Sequence, residues 1–401
     1  MKKIFRGAAM LLFGATLTMA LASCHKGDSD QEATVTEKLS EKDAPTSLSK
    51  TLVVKSNVPA KFVYAGVTKG PATEGAFENT KATGKLVVTP VDNAYLPRTV
   101  DVAFGDDDWK QVDVILYKVS KNASYQTPGE ELKVTNDQEN QDENLLADDE
   151  SGAPAAVTAE LVVPADAGNT GNTADPYSIT VFTPSSAENK AVSLNQPIED
   201  AVLGLDCRPD GAVFTNPVKV NLYIPGSDNL NIRIINHDNK NEKITFERIG
   251  GNNVSIFLKH FSIYDIMMIA EVVSVENNDE VIYDNTFDVA AGPHQVDYSR
   301  KLGYVADYTA KTLIGKFLDN TFGVPMFVQE NHYTFNAPAP GKAHVTLKQT
   351  VRTFNFRSQR EDDPTKYTDF KVVVYGKTTP SVELTHSVSP DTKTHSGGSN
   401  D

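Results

Sequence analysis

Cysteine is scarce in this chain, which has two cysteines in 401 residues. Cys24 follows the apolar run of residues 8–20, and Cys207 is far away in the sequence. If Cys24 is consumed by processing, Cys207 has no partner within the chain, so an intramolecular disulfide is excluded. The folded units must then be stabilised by their own apolar cores.

The motifs of several common enzyme classes are also missing. No glycine-rich loop opens a helix, and the sequence contains no HExxH, CxxC or GxSxG. The single tryptophan, Trp109, follows Asp106, Asp107 and Asp108, which lack the spacing of a calcium loop and are interpreted as a solvated turn. One tryptophan provides no obvious platform for sugar stacking. We therefore expect no cofactor and no metal site, and ordinary catalysis is disfavoured.

Positive charge is in the minority, with 38 Lys and Arg against 53 Asp and Glu and a formal net charge of −15. Removal of residues 1–23 would take away Lys2, Lys3 and Arg6 and change this charge to −18. A balance of this sign disfavours nucleic acid and anionic membrane surfaces as partners.

Long apolar runs are absent except for residues 8–20, and about 20 apolar residues are needed to cross a bilayer. Basic residues precede this run, so it is typical of a secretory signal peptide, residues 1–23. The run ends in Leu21-Ala22-Ser23-Cys24, which resembles the lipobox of bacterial lipoproteins. The resemblance implies that Cys24 becomes an acylated first residue and attaches the protein to a membrane.

Residues 24–49 are polar and charged and favour a flexible tether. Its beginning, residues 25–30, resembles the charged sorting signal that sends lipoproteins of Bacteroidota to the outside of the outer membrane. The resemblance implies a lipid-anchored, surface-exposed protein of the outer membrane.

Short apolar runs of period two, separated by Gly, Pro and Asn, predict a mainly β protein for the rest of the chain. Residues 50–123 predict a small sandwich that resembles Ig-like or PEGA-type modules. Residues 124–155 are acidic and predict a linker. Residues 156–272 predict a second β-domain, and residues 273–401 a smaller α+β unit with one amphipathic helix over residues 304–319. The expected fold class is therefore tandem β-sandwich modules followed by an α+β C-terminal unit.

Two motifs within residues 200–270 carry a further resemblance. Residues 210–225 read DGAVFTNPVKVNLYIP and place Val218, Val220 and Leu222 on one face of a half-buried strand. The triplet His260-Phe261-Ser262 follows some tens of residues later. Together these motifs resemble the ZU-type β-domain of ankyrins, netrin receptors and death-domain adaptors and its bacterial relatives, which implies a β-fold here.

Some members of that family cleave themselves at the triplet. The resemblance implies a reaction in which Ser262 Oγ attacks the Phe261 carbonyl while His260 takes the proton, giving an ester that water hydrolyses. This chemistry requires a strained peptide bond. In the favoured interpretation His260 is instead a strand residue hydrogen-bonded to a neighbouring carbonyl, Phe261 lies in the core and Ser262 ends the strand.

These observations predict a non-enzymatic cell-surface lipoprotein that acts as a binding or adhesion module for an unknown glycan or protein. Two alternatives stay open: a self-processing surface protein, and a pilin-like assembly subunit whose strands are exchanged between copies. Pore formation is disfavoured, because the apolar residues of 343–356 change parity between Leu347 and Phe354.

Overall fold

The computed structural model describes residues 33–39, 50–105, 107–138, 146–148, 154–185, 192–309 and 311–388. Cys24, the signal peptide and most of the expected tether lie outside these residues. The prediction of a flexible tether is wrong for Ala33–Leu39, which form a strand that pairs with residues 382–388. Within the described residues the chain is almost entirely β with one helix, so the predicted mainly β fold class is confirmed. No described helix has the length and apolar character needed to span a membrane.

The strands in chain order are β1 (Ala33–Leu39), β2 (Thr51–Tyr64), β3 (Val67–Phe77), β4 (Thr83–Pro90), β5 (Arg98–Ala103), β6 (Trp109–Val114), β7 (Leu132–Thr135), β8 (Leu146–Asp148), β9 (Pro154–Ala156), β10 (Thr158–Val163), β11 (Ser178–Phe182), β12 (Pro197–Arg208), β13 (Val213–Tyr223), β14 (Asn231–Asn236), β15 (Phe246–Gly250), β16 (Asn253–His260), β17 (Ile263–Asn277), β18 (Glu280–Val289), β19 (Gly292–Ala306), β20 (Phe327–Ala337), β21 (Gly341–Gln359) and β22 (Tyr367–Val388). The helix α1 spans Leu313–Phe322.

Strands β2 to β6 form the first module. The sheet order is β3-β2-β4-β5, and β6 pairs in parallel with β2. Apolar and polar residues alternate along these strands, so one face of the sheet is buried, because successive side chains of a strand point to opposite sides. The resulting core belongs to this module alone and includes Leu52, Phe62, Leu86, Val100 and Phe104.

Two sheets packed face to face form the central body. One sheet has the order β15-β16-β13-β10-β7, and the other has the order β11-β12-β17-β21-β22-β19-β20. Three further strands join the second sheet: β14 pairs with β17, β18 pairs with β21, and β1 pairs with β22. Side chains from both sheets and from α1 share one core, which includes Leu161, Val220, Ile256, Ile266 and Phe356. The predicted inward face of β13 is confirmed, since Val218, Val220 and Leu222 are all buried.

The far ends of the long strands form a third, smaller core. Strands β18 to β22 contribute to it, and its residues include Val296, Phe335, Val345, Leu347 and Val382. Strand β19 pairs with β20 up to Leu302 and with β22 from Gly303 onward. Gly303 has φ +84°, and a Cβ there would lie 2.2 Å from the Val324 carbonyl oxygen, so a glycine is required where the strand changes partner.

The predicted linker over residues 124–155 is wrong for its first part. Strand β7 pairs with β10, and Val134 and Asn136 are buried. Asn136 accepts a hydrogen bond from Ala159 N at 2.8 Å through its side-chain oxygen. An edge strand needs few apolar residues, so the acidic composition concealed it.

The helix begins later than predicted. Residues up to Ala306 continue strand β19, and α1 starts after Thr312, whose hydroxyl accepts a hydrogen bond from Gly315 N at 3.0 Å. This N-cap satisfies one of the N–H groups of the first turn, which have no partner within the helix. The apolar spacing of the sequence alone does not indicate such a cap.

The predicted boundary between residues 272 and 273 falls inside β17. The C-terminal residues are not separated there, because β17 pairs with β12 on one side and with β21 on the other. The parity change in β21 reflects two different cores: Ala343, Val345 and Leu347 belong to the third core, whereas Phe354 and Phe356 belong to that of the central body. Because successive side chains of a strand point to opposite sides, the two ends of β21 bury opposite faces.

Candidate functional site

The predicted triplet lies where β16 ends and β17 begins. His260 pairs with Val213 of β13, and Phe261 packs in the core against Phe214, with ring centroids 4.7 Å apart. The Phe261 N–H donates to the Ala212 carbonyl at 3.0 Å. The triplet is therefore a regular connection between two sheets.

The side chains of the triplet have separate partners. His260 Nε2 lies 2.7 Å from Glu242 Oε1, a carboxylate oxygen and not the expected carbonyl. The Ser262 hydroxyl donates to Asn236 Oδ1 at 3.5 Å. In the described part of the chain no hydrogen bond joins the imidazole to the hydroxyl, and no residue of the triplet has a positive φ or a cis peptide. A serine nucleophile needs a base within hydrogen-bond reach, so this arrangement favours the structural interpretation.

A second histidine lies beside the triplet. His237 Nδ1 is 2.8 Å from Asp265 Oδ2, and this hydrogen bond raises the pKa of His237. The other oxygen, Asp265 Oδ1, is buried without a hydrogen-bond partner. Among the described residues no group of three or more His, Cys, Asp or Glu side chains is placed to hold a metal ion.

The larger candidate site is a cleft between the first module and the large sheet. It has a volume of about 600 Å³, and we call it the Trp109 cleft. Its walls come from three distant parts of the chain: the segment leading into β6, the end of β19 with the end of α1, and strands β21 and β22. Residues that line it include Asp108, Trp109, Arg300, Phe322, Arg352 and Gly376.

Contacts across the cleft hold the first module against the sheet. Both terminal nitrogens of Arg300 donate to the Asp108 carboxylate, and Arg300 Nε donates to Gln329 at 3.0 Å. The Trp109 and Phe327 rings lie with their centroids 4.9 Å apart. The prediction of a solvated turn is therefore wrong for Asp108, whose side chain is 19% exposed.

The sheet wall of the cleft is fixed by a buried glutamine. Gln349 is fully buried, and its amide donates to the carbonyls of Lys301 at 2.6 Å and Gly376 at 3.0 Å. It also accepts from the Lys301 N–H at 3.2 Å. Because these bonds join β19, β21 and β22, the wall is set before any ligand arrives.

A second cleft of about 440 Å³ lies on the other side of Gln111, and we call it the Asp113 cleft. Gln111, Gly323 and Val324 line both clefts, so the two meet there. Burial raises the pKa of Asp113, and burial raises that of Asp319 to about 6. The Tyr304 hydroxyl donates to Asp319 at 2.7 Å.

The sequence did not identify Trp109, Arg300 or Gln349 as site residues. One signal was available: Gln349 follows Ala343, Val345 and Leu347 at the inward positions of a strand, and a polar residue there must be hydrogen-bonded. The pairing of Arg300 with Asp108 joins positions far apart in the chain, and no local pattern indicates it.

The chain matches no family model and no curated protein. It is similar to a crystal structure of a candidate membrane-associated protein of unknown function from Bacteroides fragilis, at 10% identity, TM-score 0.25, and coverage of 85% of this chain and 98% of that one. It is also similar to a candidate pore-forming toxin from Bacteroides vulgatus, at 13% identity, TM-score 0.20, and coverage of 50% of this chain and 85% of that one. At these TM-scores neither likeness decides the fold or the function of this chain.

Proposed function

We propose that the protein is a lipid-anchored protein of the outer-membrane surface that binds an external ligand in the Trp109 cleft. The lipobox ending in Cys24 supports the anchor. The observation that carries the binding function is a preformed cleft, built from three distant segments and fixed by the Arg300–Asp108 pair.

The size of the cleft suits this function. Ligand sites have volumes of about 300–1,000 Å³ and combine apolar walls with a few fixed polar groups. Here Trp109 and Phe354 supply apolar surface, and the Arg300–Asp108 pair is held in place. A site that is ordered in advance loses less conformational freedom on binding, so more of the contact energy appears as affinity.

The charge of the cleft contrasts with that of the whole protein. The described charged residues that line it are Lys110, Arg300, Arg352 and Lys377 with Asp107 and Asp108. Basic side chains outnumber acidic ones here, although the chain carries −15. Arg352 is exposed, so its guanidinium is accessible to a ligand that carries an acidic group.

The test compares two charge reversals on the same strand. Arg352→Glu changes the cleft, whereas Lys348→Glu makes the same charge change at an exposed position of β21 that does not line it. Purified full-length protein in detergent is applied to immobilised polysaccharides and extracellular proteins. We expect wild type and Lys348→Glu to bind the same probe and Arg352→Glu to bind it about tenfold more weakly. Equal binding by all three would place the ligand elsewhere.

A further inference from the structure

The strand β6 forms an edge of the first module. It pairs with β2 on one side, and in the described part of the chain no strand pairs with its other side. An unpaired edge presents a row of backbone donors and acceptors and can accept a further strand.

The parallel pairing shows which backbone groups face away from β2. Thr51 N donates to the Asp108 carbonyl at 2.8 Å, and Thr51 is the register partner of Trp109. In a parallel ladder alternate residues bond to a given neighbour, so Lys110 and Val112 continue the bonding to β2. The N–H groups of Trp109, Gln111 and Asp113 therefore point to the free side, and among the described residues these N–H groups have no hydrogen-bond partner. The Asp113 carbonyl on the same side accepts a hydrogen bond from the Ser185 hydroxyl at 3.1 Å, so the edge is most open at Trp109 and Gln111.

This free side borders both clefts. Consecutive residues of the segment, rather than alternate ones, line them: residues 107–111 line the Trp109 cleft and residues 111–115 line the Asp113 cleft. Lining by consecutive residues is expected when a strand presents its edge and not one face. The joined clefts run along the length of β6, which at about 3.3 Å per residue is roughly 20 Å.

We propose that the free edge of β6 binds an extended peptide of another protein, which adds to the first module as a further strand within the two clefts. The proposal rests on the proposed function, because it names the class of ligand that the Trp109 cleft binds. The peptide has an acidic side chain that pairs with Arg352 and an apolar one that contacts Trp109.

The spacing of the free groups favours a peptide over a saccharide. The outward N–H groups recur at every second residue, which is the repeat of the groups on an extended peptide backbone. Main-chain bonds of this kind supply affinity, while side-chain pockets at alternate positions supply specificity. Saccharide hydroxyls have no such repeat, so a saccharide would use the side chains of the cleft and not the strand edge.

One substitution tests the backbone of the strand edge separately from the side chains of the clefts. Gln111→Pro removes an N–H that faces away from β2, so the pairing of β6 with β2 loses no bond, and proline is tolerated on an edge strand whose N–H is free. Gln111→Ala is the matched control, because it removes the same side chain, including its 2.9 Å bond to Asp113, and keeps the N–H.

The probe is a display library of seven-residue random peptides, selected on the full-length protein in detergent. We expect enriched peptides to contain an acidic residue and to bind Gln111→Pro at least about tenfold more weakly than Gln111→Ala, since the two variants differ at the backbone N–H. The same peptides should slow hydrogen exchange of the Trp109 and Gln111 amides in the wild-type protein. This second measurement keeps the proposal testable if the proline variant does not fold.

Three outcomes would overturn the proposal: no peptide is enriched, the enriched peptides bind Gln111→Pro as well as Gln111→Ala, or their binding leaves exchange at these amides unchanged. If a polysaccharide still binds in an Arg352-dependent way, the proposed function survives and only the peptide inference fails. If no probe binds in an Arg352-dependent way, both fail.

Discussion

The Arg300 guanidinium holds the Asp108 carboxylate through two hydrogen bonds of 3.1 and 3.2 Å, across 192 positions of the chain. The Arg300 side chain is only 3% exposed. The pair fastens the first module to the sheet that carries the last strands, and it forms one end of the Trp109 cleft.

Removal of this pair should loosen the module. Arg300→Ala leaves the partly buried Asp108 carboxylate without its cation, and breaking a buried pair in this way costs about 3 kcal/mol. We expect a lower unfolding midpoint in denaturant and faster proteolysis between the module and the body. Arg357→Ala, which breaks an exposed pair with Asp369, is the control and should leave the midpoint unchanged. Equal effects would show that Arg300 does not fasten the module.

Gln349 should be essential for the order of the cleft wall. Gln349→Leu has a similar volume but leaves the Lys301 N–H and two carbonyls without partners, which costs about 2 kcal/mol. Chemical denaturation measures this loss. Gln359→Leu, on the exposed end of the same strand, is the matched control. A Gln349→Leu protein as stable as wild type would mean that the buried amide is dispensable.

The stability of the protein should fall as the pH rises through the titration of Asp319. Its pKa is about 6 in the folded state against 3.8 for an ordinary aspartate, so the folded state holds the proton more tightly. Stability from this group is therefore fully present below about pH 4 and is lost by about pH 7, with an upper bound of about 3 kcal/mol.

Asp319→Asn removes this titration and can still accept the Tyr304 hydrogen bond. Thermal melts of both proteins from pH 4 to pH 7 should show that the unfolding midpoint of the variant rises relative to that of wild type as the pH rises. A constant difference would contradict the shifted pKa of Asp319.

The triplet should remain uncut. Because His260 is bound to Glu242 and Ser262 to Asn236, we expect intact mass spectrometry to find one full-length species, heavier than that of Ser262→Ala by a single oxygen atom. A fragment that begins at Ser262 and disappears in Ser262→Ala would establish self-processing and refute the structural interpretation.

Lipid attachment should depend on Cys24 alone. Cys24→Ala is expected to abolish palmitate labelling and membrane association, and to leave the thermal melt of the folded domains unchanged. Cys207→Ala is the control for labelling, because Cys207 is fully buried. Label retained in Cys24→Ala would refute the assignment of the lipobox.

The sequence indicated those parts of the fold that depend on local alternation. The inward face of β13 and the strand that leads to His260 follow from apolar residues at every second position. The start of α1 did not follow, because Ala306 has helical spacing with Phe317 and yet pairs with β22, where tertiary packing decides the conformation. Strand β7 was concealed by its acidic neighbours.

The candidate site could be predicted much less well than the fold. Asp108 and Trp109 look like part of an exposed turn until Arg300 and Phe327 are brought against them, and no short-range pattern encodes contacts of that separation. The bulge in β22, where Gly376 and Lys377 lie opposite Thr350, is also set by pairing, since the partner strand decides where an extra residue fits.

The position of β22 sets the order of events in folding. The last described strand is not at an edge: it lies between β21 and β19. The large sheet therefore cannot close until residues 367–388 have been synthesised, and the Trp109 cleft, which uses Gly376, is completed last. Because pairings between distant segments form slowly, the first module is expected to fold early on local contacts, and the central body is expected to fold after it. A chain halted before β22 would contain a folded first module with no binding cleft.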